Sequence, residues 1–107
     1  KYNLPVKVVI LNNGWLGMVR QWQELFFGKR YSHVNIEGSV DFVKLAEAYG
    51  AVGFKVTKEE EIEKTLKEAF SINKPVLMDF HICREENVWP MVPAGGSLEN
   101  MLEGELA

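Results

Sequence analysis

Val6-Lys7-Val8-Val9-Ile10-Leu11-Asn12-Asn13-Gly14 is the stretch whose reading decides the fold. From Val6 to Leu11 the run is almost continuously β-branched and aliphatic, the pattern of a strand buried on both faces of a parallel sheet. Asn12-Asn13-Gly14 ends it with residues that favour turns and positive φ. The residues after Gly14 do not alternate. Leu16, Val19, Trp22, Leu25 and Phe26 recur at three- and four-residue intervals, which places them on one face of a helix. A helix cannot pair back as the second arm of a hairpin, so the stretch reads as strand, turn, helix.

Outward from that point the alternation of strand and helix continues. Residues Gly28 to Gly38 carry charge and no period and read as a loop. Ser39 is taken as the N-cap of a second helix with Phe42, Leu45, Ala46 and Tyr49 as its apolar stripe, and Gly50 stands where a left-handed C-terminal cap belongs. Val52 to Val56 is a second strand. Thr57-Lys58-Glu59-Glu60 has the Thr-x-x-Glu spacing of a capping box, opening a third helix whose buried stripe is Ile62, Leu66, Ala69 and Phe70. Asn73 and Pro75 end it, and Val76 to Ile82 is a third strand. Beyond Arg84 the chain turns to Pro90, Pro93 and Gly95-Gly96, then a short amphipathic end from Leu98 to Leu102. The expected class is α/β, a parallel sheet with flanking helices over 1–83 and a carboxyl-terminal arm over 84–107.

Composition narrows the partners. The chain has 107 residues, 47% of them hydrophobic, enough to bury one core. A formal charge of -3 without a basic cluster offers no footprint for nucleic acid or an anionic membrane. The apolar run Val8 to Leu11 falls far short of the ~20 residues of a membrane span. The single cysteine, Cys83, excludes an internal disulfide and fits a reducing, cytoplasmic setting. Lys1-Tyr2-Asn3-Leu4-Pro5 reads as a surface turn directly ahead of a core strand, without an initiator methionine. Three parallel strands also need more covering helices than this chain supplies. Both features lead us to expect missing upstream sequence.

In open α/β sheets ligands bind beyond the carboxyl ends of the strands, which points to Asn12-Asn13-Gly14. Read physically, that turn is either structural or a ligand site. Leu11-Asn12-Asn13 with Gly17-Met18-Val19-x-x-Trp22 resembles the second half of the thiamine-diphosphate motif of the acetolactate synthase catalytic subunits. Arg30-Tyr31-Ser32-His33, Asp41 to Ala48 and Val88-x-Pro90-Met91-Val92-Pro93-x-Gly95-Gly96 are similar to further segments of that family, in order and at family spacing. The resemblance implies a carboxyl-terminal piece of the thiamine-diphosphate-binding, flavodoxin-like domain.

For the whole enzyme it implies decarboxylation of pyruvate and transfer of the hydroxyethyl unit to a second 2-oxo acid, pyruvate or 2-oxobutyrate, in branched-chain amino acid biosynthesis. The implied cofactors are thiamine diphosphate and magnesium, with FAD bound outside this chain. A homodimer or homotetramer with a regulatory small subunit is implied as well. Asn13 matches the family's side-chain magnesium ligand and the Trp15 carbonyl its backbone ligand, while Asn12 holds the turn. Asn13, Gly14, Trp15, Gly17 and Met18 are the implied cofactor contacts, and Met18, Val19 and Trp22 the implied substrate pocket. Met18 lies slightly off the Leu16-Val19-Trp22 stripe, so it is expected to face a pocket while its neighbours face the core. Trp22 matches a tryptophan that shapes the acceptor pocket, although an aromatic on a helical stripe more often packs in a core.

No catalytic residue is expected within this chain. The family's activating glutamate comes from a neighbouring subunit, and its magnesium-binding aspartate would precede Lys1. The chain alone is therefore expected to be inactive. His33 and His81 have no carboxylate or cysteine at the spacing of a triad or metal site and are read as structural. Ala94 matches a small residue in an arm folding over the active-site mouth, or else it belongs to a flexible tail. The alternatives are another enzyme of the same superfamily (oxalyl-CoA decarboxylase, pyruvate oxidase or glyoxylate carboligase), a non-catalytic flavodoxin-like binding module, or an assembly fragment without a ligand.

Overall fold

The computed structural model describes residues 4–104. Lys1 to Asn3, which begin the expected amino-terminal turn, lie outside the described residues. The elements are β1 (Lys7–Asn12), α1 (Gly17–Phe26), α2 (Phe42–Ala48), β2 (Val52–Val56), α3 (Ile62–Ser71) and β3 (Val76–His81). They fall into two compact units, Lys1–Gly14 with Glu37–Arg84 and Trp15–Ile36 with Glu85–Ala107.

The first unit holds the sheet, in the order β1-β3-β2. Both pairings are parallel, with Val9 and Phe54 opposite Met78. Parallel neighbours need a long crossover, and α3 supplies it between β2 and β3. On one face Val76, Met78 and Phe80 pack with Val56 and Ala69 of α3, with Val52, Phe54, Leu66 and Ile72 around them. α2 comes close at Gly53, where a Cβ would sit 2.9 Å from Val43 Cγ1 and 3.0 Å from the Val43 backbone. Only a residue without a side chain permits that approach. Lys7, the polar break in the β1 run, donates through Nζ to the carbonyls of Pro5 (2.9 Å), Ile72 (2.8 Å) and Lys74 (3.0 Å). All three ammonium donors are thereby used.

Several expectations change here. β1 is not buried on both faces: it pairs only with β3 among the described strands, and Leu11 is 68% exposed. The N-cap of α2 is Asp41 and not Ser39, since Asp41 Oδ1 accepts the Lys44 N–H at 3.1 Å. Gly50 does cap the other end, with φ +73° and its N–H donating to Glu47 O at 2.9 Å. The expected Thr57–Glu60 capping box is replaced by a 3-10 turn over Glu59–Glu61 that leads into α3. There the Thr57 N–H donates to Glu61, one residue further on, at 3.4 Å. In the α3 stripe Ala69 is buried, but Phe70 points outward and is 69% exposed.

Among its described residues the second unit has no extended sheet. Met91 and Leu102 exchange backbone hydrogen bonds of 2.9 and 2.8 Å, and Trp15 bridges Asn35 in antiparallel fashion. Its most buried side chains are Arg20, Gln21, Val34 and Met91. The face of α1 expected to seek the core is instead open, with Leu16, Val19 and Phe26 all exposed.

Candidate cofactor site

The boundary between the units falls between Gly14 and Trp15, so the expected site residues divide between them. In the first, Asn12 Oδ1 accepts the Gly14 N–H at 3.0 Å and Gly14 takes φ +73°. This is an Asx turn closed by a residue in the left-handed region, so the expected turn-holding part of Asn12 is what the geometry shows. The space beside Gly14 is ordinary, with Glu37 Cβ at 3.6 Å from an added Cβ. Its φ, not crowding, is what calls for glycine. Asn13 comes next to the turn-holding Asn12, half-buried, at the carboxyl end of β1.

In the second unit Trp15 is half-buried, Gly17 opens α1, and Met18 and Val19 are exposed. Trp22 is half-buried and meets the Phe26 ring edge-on at 5.5 Å. Met18 and Val19 precede Trp22 by four and three residues, so the three share one side of the helix. The contrast drawn between Met18 and its neighbours does not hold, because Leu16 and Val19 are as open as Met18.

The opposite side of α1 carries residues that sequence reasoning passed over. Arg20 Nη2 pairs with Glu24 Oε2 at 2.8 Å, and the guanidinium lies 5.6 Å from the Trp15 ring centroid and 5.1 Å from that of Tyr31. Tyr31 donates to Glu24 at 3.2 Å, and Asn87 donates to the other Glu24 oxygen at 3.3 Å. Burial raises the Tyr31 phenol above its ordinary value; the Arg20 charge opposes this and the Glu24 carboxylate adds to it. Gln21, 1% exposed, donates through Nε2 to Val88 O at 2.9 Å and accepts the Val88 N–H at 2.8 Å. The available signal was the Arg20–Glu24 spacing of four on a helix, which ordinarily marks a solvated ion pair.

Neither histidine joins this group. His33 stands at φ +55° with Nδ1 2.7 Å from Ser32 Oγ. His81 Nε2 lies 3.2 Å from Oδ2 of buried Asp79. Asp-x-His on a strand puts both side chains on one face, and the contact is a pair rather than a triad or a metal site. In the arm, Ala94 is exposed. Gly96 fits a tight turn in which an added Cβ would lie 3.0 Å from Pro93 O.

A parallel α/β sheet whose first strand ends in an Asx turn before a helix has the form of a ligand-binding domain of the open-sheet class. The chain belongs to the family described as thiamine pyrophosphate enzyme, C-terminal TPP binding domain, which matches residues 1–80. It is 48% identical over 103 residues to the acetolactate synthase large subunit of Porphyra purpurea, covering 95% of this chain and 18% of that protein. The corresponding subunit of Haemophilus influenzae is 45% identical over 103 residues, again 95% of this chain and 18% of the relative. For the isozyme 2 large subunit of Escherichia coli the identity is 45% over 100 residues, 94% of this chain and 18% of that one. A solved thiamine diphosphate-dependent 4-hydroxybenzoylformate decarboxylase of Rhodococcus jostii superposes with a TM-score of 0.70 at 31% identity, over 79% of this chain and 16% of that chain. The chain thus spans less than a fifth of the length of these relatives. Among the described residues no helix is long and apolar enough to cross a membrane.

Proposed function

We propose that this chain is the carboxyl-terminal part of an acetolactate synthase catalytic subunit, which decarboxylates pyruvate and joins the resulting two-carbon unit to pyruvate or 2-oxobutyrate. The observation that carries this reading is the 45–48% identity to acetolactate synthase large subunits over 95% of the chain. When bound, thiamine diphosphate supplies the electron sink for loss of carbon dioxide. The residues of this chain hold and shape.

Asn13 Oδ1 and the Trp15 carbonyl are the proposed magnesium ligands. Both are neutral hard oxygens of the kind magnesium accepts, and a separation of two residues keeps their α-carbons within roughly 7 Å. Among the described residues no group of three or more His, Cys, Asp and Glu could hold a metal. The pair would be part of a shared donor set, which the diphosphate and an acid from outside this chain would complete. Gly14 and Gly17 let backbone approach the cofactor, Met18 lies against it, and Met18, Val19 and Trp22 form one wall of the acceptor pocket. Residues 84–104, the described part of the carboxyl-terminal arm, would lie at the mouth of that pocket. The reading extends to FAD and the activating glutamate outside this chain, a homodimer or homotetramer of catalytic subunits, a regulatory small subunit and a cytoplasmic setting.

The test is product analysis of the complete subunit given pyruvate and 2-oxobutyrate with thiamine diphosphate and magnesium. The expected products are 2-acetolactate and 2-aceto-2-hydroxybutyrate, with Trp22→Leu shifting the ratio toward acetolactate. Free aldehyde as the only product would make the protein a decarboxylase and overturn the reading. The isolated chain is expected to form neither product.

A further inference from the structure

The side of α1 that turns inward is polar, and what it grips is the segment that leads into the helix. Arg20 is 5% exposed. Burying a guanidinium is costly, and an ion pair in its place is weak evidence for stability because an apolar residue of similar volume often does as well. What the charged group supplies is directional: a planar fork that stacks on rings and hydrogen-bonds in fixed geometry. Here the guanidinium carbon lies over the Trp15 ring at 5.6 Å and the Tyr31 ring at 5.1 Å. The two rings also meet each other, 5.7 Å apart at 55°. Glu24 at 2.8 Å, Tyr31 Oη at 3.4 Å and Asn87 Oδ1 at 3.5 Å close the guanidinium in.

The Trp15 backbone is fixed from a second direction. Trp15 bridges Asn35, and the Leu16 N–H donates to Val34 O at 2.9 Å. Val34 is itself buried, so this strap is anchored. The Arg20 N–H in turn donates to Leu16 O at 2.9 Å, where α1 begins.

We propose that Arg20, packed against the paired rings of Trp15 and Tyr31, is a positioning residue that fixes the Trp15 carbonyl as a magnesium ligand. It acts through the Trp15 ring and backbone. The inference rests on the functional reading above, in which that carbonyl is a ligand. Partners that orient a metal ligand typically carry 10–100-fold in metal affinity.

The experiment titrates magnesium into the complete subunit in the presence of thiamine diphosphate, following binding by calorimetry, with melting temperature measured on each variant. Arg20→Met and Tyr31→Ala are expected to weaken magnesium binding by about 10-fold. Tyr31→Phe, which keeps the ring and loses only the hydroxyl, should bind nearly as the wild type. Leu66→Ala, in the other compact unit, should lower the melting temperature and leave magnesium affinity unchanged. Tyr31 lies near the surface, so its variants carry the test if Arg20→Met fails to fold. Magnesium affinities within about twofold of wild type in the Arg20 and Tyr31→Ala variants would overturn the proposal, as would an equal loss in Leu66→Ala. A wild-type subunit that forms acetolactate without magnesium would leave the acetolactate synthase reading standing but overturn its magnesium-ligand assignment, and this inference with it.

Discussion

β3 and β1 are neighbours of equal length, six residues each, and both are rich in aliphatic side chains, yet their surroundings differ. β3 lies between two strands and under α3, and Met78 at its middle is 0% exposed. β1 pairs on one side only among the described strands, leaving Val8, Val9 and Leu11 exposed. Apolar character states what a strand can bury; its place in the sheet decides what it does bury. The helices repeat the lesson: α3 turns small Ala69 inward and leaves Phe70 out, while α1 buries Arg20 and Gln21 and exposes Val19.

The largest test of that contrast sets Met78→Ala against Leu11→Ala in this chain. Truncating Met78 should cost about 2–5 kcal/mol, the range for a fully buried methionine in a packed core. Leu11→Ala should stay within about 0.5 kcal/mol, as surface changes do. Urea unfolding of both variants measures the difference, and equal losses would mean that β1 is as enclosed as β3. Next in size, Gly53→Ala should cost about 1–3 kcal/mol, because its methyl would press not only on Val43 Cγ1 but also on the Val43 backbone, which cannot turn aside. A variant as stable as the wild type would show that α2 can move off the sheet.

For the helices, Gln21→Ala removes both hydrogen bonds to Val88, with an expected loss of about 1 kcal/mol. Faster hydrogen exchange at the Val88 amide would locate the loss; unchanged exchange would count against Gln21 as the tether. The smallest effect concerns the start of α2. The Lys44 N–H donates to Asp41 and lowers its carboxyl below the ordinary 3.8, with the Lys44 ammonium contributing less. A depressed acid contributes stability above its unfolded value that disappears as pH falls through the folded one. Melting temperatures of wild type and Asp41→Ala should therefore differ slightly at neutral pH and converge below 3.8. A gap that persists in acid would place the cap's contribution elsewhere.

Much of this molecule was legible in its residues. The aliphatic run to Leu11, the helical spacing after Gly14 and the cap at Gly50 foretell the order of elements and β2 to the residue, while Asn12-Asn13-Gly14 marks the turn that closes β1. These are local matters of period and permitted φ, which a sequence states directly. Other features depended on neighbours. Asp41 serves as the cap in place of Ser39 because α2 begins one residue after it. Arg20 and Glu24 look like a solvated pair until Trp15, Tyr31 and Asn87 enclose them. Asp79 and His81 share a face, but whether that face is covered lies outside their spacing. Sequence by itself determined which segments are strands and helices, because that depends on each chain segment alone. Only the tertiary structure decided which side of α1 is buried and which strand lies inside the sheet, because burial belongs to what lies opposite.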